Sequence, residues 1–89
     1  MPDRQQTLQR FEDRLARLEG LRQEKPARWQ LFHLHNALGA LEDGRDDADL
    51  HLDEFDRHEL EREYPELEAD HVPSVDEIRT RYSLLGARG

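Results

Sequence analysis

The chain has 89 residues, 38% of them charged, a net charge of −8 and no cysteine, which excludes disulfides, thiolate zinc sites and thiol catalysis. That length allows one domain, residues 1–89, burying only roughly 60–65% of the surface its unfolded form exposes. Val, Ile, Leu and Phe total 20 of 89 residues, close to the roughly 20% level at which highly charged chains stop folding alone, so a lean core completed by a second copy is expected.

Four helices are legible in chain order. The first covers about 4–24: Leu8, Phe11, Leu15 and Leu18 follow 3-4-3 spacing on one stripe, with Arg10, Arg14 and Arg17 beside it. The second, about 26–43, opens on Pro26 and closes at Asp43-Gly44. Its Ala27, Leu31, Leu34, Leu38 and Leu41 cluster within about 80° of arc. Trp29, Phe32, Asn36 and Ala40 lie on its opposite side. A helix apolar on both sides is buried on both, so these four are the expected homodimer interface.

The third helix, about 47–64, has a poor apolar face, with Leu52, Phe55, Leu60 and Tyr64 spread over half its circumference. It stops before Pro65, and residues 65–73 connect it to the fourth. Ser74 and Glu77 fit a capping box that starts a fourth helix, about 75–85, with Val75, Ile78, Tyr82 and Leu85 on one stripe and residues 86–89 as a loose tail. No alternating strand pattern appears. The fold class is therefore all-α, a small antiparallel bundle of three to four helices.

The N-terminus lacks the apolar region of a signal peptide, and no apolar run exceeds two residues, so a cytoplasmic protein without membrane contact is expected. Twelve of the 13 basic residues are arginine, a bias assigned to GC-rich codon usage, with bidentate anion binding as the functional alternative.

Charge is unevenly placed. Glu42–Asp70 holds 14 acidic residues against Arg45, Arg57 and Arg62, a balance of −11, while the rest of the chain nets +3. A helix this acidic repels phosphate, so direct nucleic-acid binding is not expected, although the second and third helices superficially resemble a helix-turn-helix. The segment reads instead as a contact surface for something basic. The first candidate is the Arg10/Arg14/Arg17 edge of the first helix, in the same chain or a second copy. Beyond that, the expected role is a protein–protein interaction or regulatory module, with a basic partner or mimicry of nucleic-acid charge as its mode.

Chemistry has one alternative foothold. His51, Glu54, His58 and Glu61 follow 3-4-3 spacing on the third helix, and imidazole with carboxylate at such spacing can reach a common divalent metal ion. The preferred reading of this stripe is a solvated face with no cofactor. His33 and His35 sit about 160° apart and cannot share a ligand, so each reads as a flank residue or a satisfied interior histidine. The segment Asp43–Glu54 fails as a calcium loop, since Arg45 takes a ligand position and Ala48 the turn position where glycine belongs. No serine, phosphate loop or buried carboxylate suggests a catalyst, so no enzyme is expected.

Overall fold

The computed structural model describes residues 4–20, 27–61 and 72–87. These form four helices: α1 (Arg4–Glu19), α2 (Arg28–Asp43), α3 (Ala48–Glu61) and α4 (Val75–Ala87). No strand occurs among the described residues. The expected helix start at Pro26, the last turn expected for α3 (62–64), most of the connector and the end of the tail lie outside the described residues.

Helix ends follow local chemistry. Gly44 stops α2 in the left-handed region at φ 71°, and the next amide, Arg45 N–H, closes onto the Ala40 carbonyl at 2.8 Å. The α2 start is capped weakly. Ala27 has no side-chain acceptor to offer, and its own N–H donates instead to Gln30 Oε1 at 2.9 Å. At α4, Ser74 Oγ accepts from Glu77 N–H at 3.2 Å, as its sequence predicts. This helix runs two residues past its expected end, through Gly86, because nothing there needs a left-handed backbone.

The core is lean and shared by all four helices. Phe11, Leu15 and Leu18 of α1 meet Leu34, Ala37, Leu38 and Leu41 of α2, Ala48, Leu52 and Phe55 of α3, and Ile78 of α4. Burying each large side chain contributes roughly 1.5–3 kcal/mol. Tyr82 stacks on Phe11 with ring centroids 5.0 Å apart. The weak face expected of α3 is borne out: its core contribution is Ala48, Leu52 and Phe55 alone, and Leu60 is 86% exposed.

The second apolar side of α2 is occupied within the chain. Trp29 and Ala40 are buried, and Trp29 packs on Phe55 of α3 at 5.4 Å between ring centroids. Phe32 and Asn36 are half-buried. Two of the four expected interface residues are thus spent on the fold itself, because α3 covers the side that sequence alone left unpartnered.

Candidate functional site

Helix α3 is held along both flanks by polar contacts of different kinds. On the α1 flank, Arg10 reaches Asp49 at 2.8 Å and Asp53 at 2.6 Å. Arg14 grips both oxygens of Asp56, its Nε donating at 3.0 Å. Arg17 forks onto Glu59 at 3.1 and 3.2 Å. Thr7 adds a hydroxyl donor to Asp49 at 3.0 Å. Positions 10, 14 and 17 each meet a residue about one helical repeat further along α3, so the pairs ascend together and set the register of α1 against α3. The expectation that this arginine edge meets the acidic segment in the same chain is met, residue for residue.

Further arginines tie in α4. Arg79 bridges Glu12 at 2.8 Å and Glu19 at 3.0 Å, while Arg81 donates from Nε to Glu42 at 3.2 Å and contacts His35 Nδ1 at 3.0 Å. Arg79's hydrogen bond pulls the Glu19 carboxyl below its ordinary value, outweighing the opposing effect of burial. Guanidinium forks suit this work because one planar group satisfies two acceptors at once.

On the other flank of α3, the His/Glu stripe does not converge. His51 Nε2 lies 3.2 Å from Asp47 Oδ2, Glu54 accepts from Arg57 Nη2 at 2.5 Å, and Glu61 is exposed. His58 keeps Glu54 Oε2 at 3.9 Å from its Nε2 but turns its other nitrogen to a different partner. Its Nδ1 lies 2.8 Å from Nε2 of His33 on α2. No group of three or more His, Asp or Glu side chains is placed to share a metal ion among the described residues. The four stripe positions therefore share a helix face without sharing a ligand point.

The His33–His58 contact is the most specific chemical feature of this flank. The ring centroids are 4.9 Å apart at an interplanar angle of 28°. That separation is close to the N···N distance plus one ring radius on each side, so the two nitrogens face each other edge to edge. Such a contact is a hydrogen bond only if one ring supplies N–H and the other a lone pair. The indole of Trp29 stands edge-on to both rings, at 6.0 Å from His33 and 5.9 Å from His58, and Phe32 flanks His33 at 5.7 Å.

His33 is only 8% exposed. Burial pushes its ring below the ordinary histidine value; the facing His58 adds to that, with smaller contributions from His51 and Arg57, while Glu54 opposes. Glu54 itself is held low by the Arg57 hydrogen bond. Asp47 lies low despite desolvation, through His51, its own backbone amide and Arg45.

This pairing was not foreseen, since His33 read as an isolated interior or flank residue. A signal for it exists. His33 and His58 stand at equal distances from the Arg45–Asp46 turn, so two helices folding back about that turn bring them level.

Among the described residues, a further group of carboxylates stands at the α2–α3 corner. Asp43 and Asp46 are exposed there and Asp47 half-buried, with Arg45 3.7 Å from Asp43 and 3.6 Å from Asp47. Leu50, in the first turn of α3, is 59% exposed. A groove of about 700 Å³ along the ladder is lined by Asp13, Arg14, Arg17, Asp56, Glu59 and Leu60, so its charged walls are largely those already paired. No described helix is long and apolar enough to cross a membrane. No protein-family model, no curated protein and no solved structure matches this chain.

Proposed function

We propose that this protein is a small helical interaction or regulatory module, not an enzyme, which receives a basic partner at the α2–α3 corner. One observation carries the reading: the carboxylates of α3 that face α1 are consumed by Arg10, Arg14 and Arg17, whereas Asp43 and Asp46 are exposed at the corner with Asp47 half-buried and Arg45 as their nearby cation, and Leu50 in the first turn of α3 is exposed. Exposed carboxylates and an exposed leucine at one corner suit a basic surface that also offers an apolar contact. Charge mimicry along the length of α3 is less well supported, because the arginines cover that row.

Capture from native lysate by the intact protein tests this, compared with an Asp43→Asn/Asp46→Asn/Leu50→Ser variant. Capture that weakens in several hundred millimolar salt and disappears in the variant is expected. Capture equal in both proteins, or indifferent to salt, overturns it. A homodimer through Phe32 and Asn36 belongs to the same proposal, and a single species near 10.6 kDa by light scattering would remove that part.

A further inference from the structure

The contact between His33 and His58 joins α2 to α3 on the flank opposite the arginine ladder. The apolar anchors of α3 are Ala48, Leu52 and Phe55, and Phe55 is the last of these before Glu61. Both histidines lie against Trp29, which itself packs on Phe55, so their contact borders that aromatic cluster.

The pair has a limited capacity for protons. With both rings neutral, one N–H donates across the 2.8 Å gap. With one added proton, an imidazolium still donates to a neutral ring. With two, both facing nitrogens carry hydrogen, no lone pair remains between them, and two like charges stand in a largely buried site. The surrounding groups do not reverse this. On α3, Glu54 Oε2 is 3.9 Å from His58 Nε2, but that oxygen is engaged by Arg57 at 2.5 Å. Arg57 approaches His58 Nε2 to 3.4 Å, and His51 is directed to Asp47. From α2 come Trp29 and Phe32, which carry no charge, and from α1 Arg17 lies over the Phe55 ring at 5.9 Å.

We propose that the His33–His58 contact is a proton-operated latch between α2 and α3, closed while at least one ring is neutral and opened by acid when both become imidazolium. Opening loosens the cover over Trp29 and Phe55. It requires no partner, so it holds or fails separately from the basic-partner reading.

The direction of the effect follows from linkage. The unfolded chain binds the His33 proton more readily than the folded one, so the folded state keeps its full advantage above about pH 6.5 and loses it as pH falls below that value. Glu19, Asp47 and Glu54 are held below their ordinary values and stay ionised through this window.

Trp29 is the sole tryptophan, and a charged imidazolium quenches indole emission, so the protein carries its own reporter. The test follows Trp29 fluorescence and Tm from pH 7.5 to 5.0 in the wild type and in His33→Gln/His58→Asn. In that variant a side-chain amide stands near each facing nitrogen without titrating. The expected result is quenching and a roughly fivefold or larger loss in the folded-to-unfolded ratio below pH 6.5 in the wild type, read as a Tm fall of about 5 °C, with a flat profile in the variant. Matching profiles, or an unchanging wild type, overturn the proposal. If the variant does not fold, NMR titration of the wild-type imidazoles decides: separate proton-binding steps for the two rings support the latch, and His33 titrating at its ordinary histidine value refutes it.

Discussion

The Arg14–Asp56 pair is the test of whether the ladder holds the fold or merely decorates it. Arg14 is only 16% exposed and its fork meets both oxygens of Asp56, whereas Arg17, bonded to Glu59 with similar geometry, is 54% exposed. Exposed ion pairs couple by about 0.2–1 kcal/mol, and charge-assisted hydrogen bonds in drier sites by roughly 1.5–3 kcal/mol. Asp56 keeps part of its water, so Arg14–Asp56 belongs between these ranges, at about 1 kcal/mol, with Arg17–Glu59 near 0.3 kcal/mol. Double-mutant cycles with Arg14→Met, Asp56→Asn, Arg17→Met and Glu59→Gln measure both couplings. Urea unfolding followed by Trp29 fluorescence gives the free energies, and about 1 kcal/mol corresponds to a Tm change of roughly 4–8 °C in a domain this small. The methionine keeps most of the arginine stem's packing, so the cycle isolates the charge. Equal couplings at the two rungs, or none at Arg14–Asp56, would refute the argument that burial and fork geometry decide which rung matters.

Three further outcomes are expected. Phe55→Ala removes the aromatic that α3 packs on Trp29 and should cost about 3–5 kcal/mol, enough to leave a domain of this size largely unfolded by circular dichroism. Gly44→Ala forces a Cβ into the left-handed region at φ 71° and should cost about 1 kcal/mol in urea unfolding although no neighbouring atom obstructs it; a neutral result would mean that the turn relaxes. Because Arg79 lowers the Glu19 value, the stability from that bridge is whole above about pH 4.5 and lost as pH falls below it, and Arg79→Met should flatten the acid limb of a Tm-against-pH curve.

Much of the architecture was readable because helical periodicity reports which residues face inward. The stripes Phe11–Leu15–Leu18 and Leu34–Leu38–Leu41 are core stripes, and Ser74 caps where its spacing says it should. The arginine edge opposite the acidic segment was also readable, since complementary charge at matching helical spacing has few other arrangements. What periodicity cannot show is which second helix covers a given face. Trp29 and Ala40 therefore read as outward residues awaiting another copy, although α3 folds over that side. The same blindness made His51, Glu54, His58 and Glu61 look like a common set. They share an arc on one helix, but each answers to its nearest neighbour: Asp47, Arg57 and His33 take three of the four, and solvent takes Glu61. The arginine bias is compatible with codon usage, yet the forks at Arg14, Arg17 and Arg79 are contacts a lysine could not reproduce.

The two flanks of α3 answer to different conditions, and this gives the fold a testable asymmetry. The ladder joins full charges, partly exposed, so salt screens it; at 0.1 M the screening length is already about 10 Å, and it shortens to about 3 Å at 1 M. Burial keeps His33 neutral above about pH 6.5 and Trp29 flanks both rings, so salt should leave this contact nearly untouched there. Conversely, acid between pH 6.5 and 5 acts on the contact that holds His33. Salt and mild acid should thus destabilise through separate contacts, and their effects on Tm should add at pH 7 and low salt for small perturbations. Below pH 6.5 additivity should fail in one direction. Added salt screens the repulsion between two imidazolium rings and so offsets part of what it takes from the ladder. A salt series at pH 7.5 should lower Tm steadily, and the same series at pH 5.5 should lower it less. Equal slopes at the two pH values would mean that the histidine contact carries no charge repulsion and that the acid response lies elsewhere.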